Sequence, residues 1–120
     1  MARSLSQEEQ GAQMQLLTDE IRARLPKLHS NEALGLDALA QVKFFTPDSN
    51  WTWYASEFDG EDTFFGLMSG FETKVGYFSL SELEEVQGAI GLRIERDRYF
   101  KPTTLRELLA LHEGKGKAPK

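Results

Sequence analysis

The chain of 120 residues contains no cysteine. That excludes disulfides, thiolate catalysis and cysteine-bound metals, and it fits a reducing compartment. Histidine is scarce: His29 and His112 are the only two. A Ser–His–Asp arrangement would have to use one of them, and no G-x-S-x-G elbow is present. No apolar run approaches the roughly 18 residues of a membrane span. The opening MARSLSQEEQ has no apolar core of the kind a signal peptide needs. A cytoplasmic protein with no membrane contact is therefore expected. Basic charge is also short, with 14 Lys and Arg against 19 Asp and Glu, a formal net charge of −5. This disfavours non-specific nucleic-acid binding, which requires neutralised phosphates. Walker, dinucleotide-binding, H-E-x-x-H and EF-hand motifs are all missing. Carboxylates sit in turns at Asp48 and at Asp59, Glu61 and Asp62, without the alternating spacing of a cation loop. No metal, no cofactor and no catalytic residue is expected.

What the chain does have is an aromatic centre. Both tryptophans and most phenylalanines fall between Val42 and Phe78, where extended runs alternate with turn residues. The first strand is expected over Ala40 to Thr46. Pro47-Asp48-Ser49-Asn50 then makes a turn, since Pro presets φ and the polar side chains bond local backbone. Trp51 to Phe58 is the second strand. Strict alternation puts Trp51, Trp53 and Ala55 on one face and Tyr54 and Phe58 on the other. Asp59-Gly60 is a type I′ hairpin signal. Thr63 to Ser69 is the third strand, and Gly66 inside it marks a bulge or a close neighbour. Lys74 to Ser79 is the fourth.

Helices flank this meander. Met14, Leu17, Ile21 and Leu25 form one apolar stripe, and Pro26 ends it. Thr18 is an alternative cap for a shorter helix that begins with Asp19 and Glu20. Lys27 to Leu39 is a loop with one turn. Ser81 and Glu84 match a capping box that opens a short helix, and Thr104 and Glu107 match another that opens the last helix. Leu92 to Phe100 is extended or loop. Gly114 closes the last helix.

The expected fold is α+β: a four-stranded antiparallel β-meander with helices before and after it packed on the sheet, covering one face. Residues 1–13 are a flexible lead-in, 14–113 a single domain, and 114–120 a disordered basic tail.

Such a layout leaves aromatics on both sheet faces. Either terminal segments cover both, or one set faces solvent and marks an interface. The second case gives a protein-binding surface with Trp51, Trp53, Tyr54 and Glu57, flanked by Asp48 and Asn50, since Trp and Tyr are frequent anchors. The acidic residues nearby would favour a basic partner. The alternative is a nucleic-acid accessory factor that uses Arg93, Arg96, Arg98 and Lys101 on phosphates. A hydrolase built on Glu57, Asp59 or His29 would need a deep pocket, of which the sequence gives no sign. The protein is expected to act by binding a protein partner, as a monomer or weak homodimer.

The blocks VKFFTPDSNWTWYASEFD, FFGLMSGFETKVGYFSLSEL and IERDRYFKPTTLREL, with LLTDEIRARLP upstream, resemble the bacterial family called domain of unknown function 2958. The resemblance runs from Leu16 to His112. It implies no activity and no catalytic residues. It does imply a setting in plasmids and other mobile elements, hence a small binding protein of a mobile-element or phage-like locus.

Overall fold

The structure, a computed structural model, describes residues 16–88 and 90–117, with side chains described to residue 113. The expected lead-in at 1–13, Met14 of the apolar stripe and the last three residues of the expected tail lie outside the described residues.

Helix α1 (Asp19–Arg24) follows the shorter of the two expected helices. The Thr18 hydroxyl accepts the Ile21 N–H at 3.2 Å, and Leu25 is already extended ahead of Pro26. The loop after it contains a 3-10 segment, Glu32–Asp37, kinked at Gly35. The expected first strand splits in two. Leu39–Ala40 (β1) leaves the main sheet, and Val42–Phe45 (β2) enters it. Then come β3 (Thr52–Phe58), β4 (Thr63–Ser69) and β5 (Thr73–Ser79), the short helix α2 (Leu80–Glu85), β6 (Glu95–Arg96), β7 (Thr103–Thr104) and α3 (Leu105–Lys117).

The main sheet is antiparallel, in the order β5-β4-β3-β2-β6, and β1 pairs with β7 separately. The meander thus gains a fifth strand from the charged stretch after α2. Two caps differ from expectation. Ser79, not Ser81, caps α2, accepting the Glu82 N–H at 3.3 Å. Ser81 is already helical, and its N–H goes to Asp62 at 2.8 Å. Thr104 does cap α3, accepting from Glu107 N–H at 3.1 Å. That helix runs past Gly114 to Lys117. The β3–β4 turn is not type I′, because only Gly60 takes a positive φ. Asp59 instead accepts the N–H groups of Glu61, Asp62 and Thr63, which hold its carboxyl below the usual carboxylate range.

Both faces of the sheet are covered, not one. On the first face Phe58, Phe64 and Phe78 stack in series, with Phe44, Trp53 and Ala55 beside them. Leu16, Leu17, Ile21 and Leu25 close this core from the α1 side, and Leu80, Leu83 and Ile94 complete it. On the second face Ala38, Ala40, Tyr54 and Leu67 meet Leu105 and Leu108 of α3.

Alternation fails at one point, and the failure shapes the molecule. Ala55 pairs with Gly66, but the next pair is Glu57 with Phe65, so Ser56 is an extra residue in β3. A β-bulge of this kind reverses which face later residues take. Phe58 therefore joins Trp53 and Ala55 rather than Tyr54, and Glu57 moves to the α3 face. Gly66 sits where the strands crowd: a Cβ there would lie 1.8 Å from the Tyr54 carbonyl oxygen. The Ser56 hydroxyl donates to the Phe65 carbonyl at 3.2 Å, so the bulged residue keeps a partner.

Candidate functional site

The bulge places Glu57 in one cross-strand row with Phe65 of β4 and Tyr77 of β5. These residues floor a pocket of about 240 Å³. The turn after α1 and the 3-10 segment supply its other walls, through His29, Asn31, Glu32 and Leu36, and Leu105 closes the side toward α3.

Glu57 is 4% exposed. One carboxylate oxygen accepts the His29 N–H at 2.8 Å and the other the Asn31 N–H at 2.8 Å. Phe58 N–H donates to the Pro26 carbonyl at 2.9 Å, so the turn is clipped to β3 at both ends. Aiming two amides at one carboxylate forces the chain round sharply. His29 takes φ 73°, the one positive value among described non-glycine residues. Such a conformation costs a non-glycine residue roughly 1–2 kcal/mol.

Two charge-assisted bonds reduce the cost of burying Glu57, but a carboxylate has further lone pairs. No Lys or Arg among the described residues lies within 4 Å of it. At the rim, His29 Nδ1 lies 2.7 Å from a Glu32 carboxylate oxygen. A carboxylate only accepts, so Nδ1 donates. The ring meets Tyr77 edge-on, centroids 6.3 Å apart. The pocket thus offers acceptors inside an apolar sleeve. It suits a donor, above all a cation carried on an apolar stem.

The six residues named from sequence as a binding surface do not form one. Trp53 is buried in the first core and Tyr54 in the second, on opposite faces. Trp51 stacks on Trp53 and lies against Gly70 and the edge of Phe71. Asp48 is turned inward, accepting from Ile90 N–H at 2.7 Å and Leu92 N–H at 3.4 Å, which ties down the loop after α2. Asn50 is exposed in the turn. Only Glu57 belongs to the pocket. It meets His29 there, whereas Asp59 lies in the β3–β4 turn.

Tyr54 shares a 2.7 Å hydrogen bond with His112 Nε2 under α3. Burial pushes its hydroxyl up to about 12, and the Asp97 charge adds to the effect. The four basic candidates spread along the chain after α2. Arg93 donates to the Glu84 carbonyl at 2.7 Å. Arg96 is half-buried, and burial together with Arg98 holds its pKa below the usual value. Arg98 and Lys101 are exposed, near a Tyr99 that is 90% exposed.

Phe65, Val75, Tyr77 and Glu32 were missed as pocket residues. The signal that could have found the first three is Gly66: a glycine opposite a strand interior marks a bulge, and a bulge turns Glu57 toward them.

The architecture is that of a mixed α+β domain whose antiparallel sheet lies between helices and which carries one acidic pocket on the α3 face. The chain belongs to the family described as protein of unknown function DUF2958, whose model matches residues 16–116. No curated protein matches it, and no solved structure does. No helix among the described residues is long and apolar enough to cross a membrane.

Proposed function

We propose that this is a binding domain whose recognition centre is the Glu57 pocket, and that it captures a positively charged group of a partner. The observation that carries the reading is the bulge at Ser56, which turns a buried carboxylate, with no Lys or Arg within 4 Å among the described residues, toward an apolar cavity. A buried charge of this kind is costly where it serves packing alone. The strained His29 is a second cost at the same place, and backbone strain gathers at functional sites. The volume favours a side-chain-sized group, being below the roughly 300–1,000 Å³ of common small-molecule sites. The partner is a protein, and a role among the accessory proteins of mobile elements belongs to the same proposal.

Amide chemical shifts of the labelled protein test this. Methylguanidine and butylamine should move His29, Asn31 and Tyr77, acetate should not, and Glu57→Gln should abolish the response. Shifts confined to other regions, or an equal response in the variant, would remove the reading.

A second reading keeps nucleic acid as the partner, supported by exposed Tyr99 beside Arg98 and Lys101. It expects a gel shift at low salt that weakens as salt is added.

A further inference from the structure

Resting on the pocket reading, we infer that the group it takes is a lysine or arginine side chain of an extended protein segment, which adds to β5 as the next strand of the sheet.

The two edges of the sheet are unlike. At one end β6 has two residues, too short to template a strand. At the other, β5 is seven residues long and pairs in unbroken register with β4 from Ser79 to Thr73. It has no proline and no bulge, two of the usual guards of an edge, and its one charged residue, Lys74, pairs with Met68 rather than standing in the pocket row. Its outward groups can be identified. Leu80 N–H bonds Asp62, and Gly70 N–H bonds the Glu72 carbonyl, at either end of the β4–β5 ladder. In an antiparallel pair, hydrogen-bonded residues alternate with non-bonded ones. Gly76, Phe78 and Lys74 therefore bond β4, whereas Thr73, Val75, Tyr77 and Ser79 turn their N–H and C=O outward.

Val75 and Tyr77 are also pocket walls, 37% and 53% exposed. The edge, which no described strand covers, and the pocket thus share residues. An added strand would place every second side chain on the pocket face. It would lie three strand spacings from β3, about 14 Å at about 4.8 Å each. Lys and Arg have the longest cationic stems, which would carry a charge across Tyr77 to the pocket mouth at His29 and Glu32, with the Glu57 carboxylate beyond it. Their apolar length would cross Tyr77, whose ring face attracts a cation. The carboxylates of Glu32 and Glu57 supply the complementary charge.

The test uses the full chain against a phage-displayed library of random linear nonapeptides. Selection should enrich Lys or Arg at one position, flanked by β-formers and free of proline. Val75→Pro removes an outward N–H without touching the β4 ladder and should weaken the selected peptides at least tenfold. Glu57→Gln should erase the preference for Lys or Arg. Bound peptide should slow amide exchange at Val75 and Tyr77. Enrichment of acidic or helical peptides, or equal binding by Val75→Pro, would overturn the inference. So would light scattering that finds a dimer lost in Val75→Pro, which would give the edge to a second copy. If guanidine and amine probes enter the pocket while no strand-forming peptide is selected, the edge inference fails and the pocket reading stands.

Discussion

The two faces of the sheet are built to different ends. On the α1 face Phe44, Phe58, Phe64 and Phe78 interlock with aliphatic side chains and Trp53, and the described members of that core carry no ionisable group. The α3 face has fewer buried apolar groups and holds Tyr54, His112 and Glu57 among them. One face supplies the hydrophobic stability of the domain, while the other carries polar groups whose burial works against it. Function, on this view, sits where the chain accepts unfavourable burial.

The contrast is most exposed at Phe64, which is fully buried and stacked on two rings. Phe64→Ala should cost about 3–5 kcal/mol in urea unfolding, the usual range for an aromatic core truncation. Gly66→Ala strikes the seam between the faces. Its methyl would meet a backbone oxygen that no rotamer can move, so a loss of about 3 kcal/mol is expected, at the upper end for overpacking. On the α3 face, Glu57→Gln leaves one amide facing an N–H₂ group. The expected cost is about 1–3 kcal/mol, with faster amide exchange at His29 and Asn31 and little change near Phe64. A loss equal to that of Phe64→Ala would erase the distinction between the faces. The smallest effect concerns Tyr54. Its hydroxyl is raised from 10.0 to about 12, so the fold favours the neutral phenol. That stabilisation is complete below pH 10 and is lost as pH rises toward 12. Tyr54→Phe should flatten the stability profile in this window, and the difference in absorbance titration should place the missing phenol near 12.

Much of the first face was legible from residue order. Thr18 and Pro26 bounded a short helix, and Leu17 and Leu25 of the apolar stripe, though outside it, are buried in the same core as Ile21. The strands followed their β-rich runs and turn residues. The second face was not legible, because period-two alternation carries one residue's error to every residue beyond it. Ser56 looks like an ordinary strand residue, so Phe58 was given the face of Tyr54. The β6 pairing was hidden for a related reason. Two residues, Glu95 and Arg96, leave no periodicity to detect, and only the neighbouring β2 reveals them. By sequence His29 is only a candidate histidine of a hydrolase, and its side chain is exposed. Its importance lies in a backbone angle, imposed by a carboxylate 28 residues away.

The extra residue in β3 leaves the two paired strands of unequal length at that point, and which strand changes length decides the outcome. Removing Ser56 would leave Glu57 opposite Phe65 and Phe58 opposite Phe64, on the faces they now take, with the bulge ironed out. A residue inserted into β4 opposite Ser56 would instead bring it into register and exchange the inside of one layer for the inside of the other from Glu57 onward.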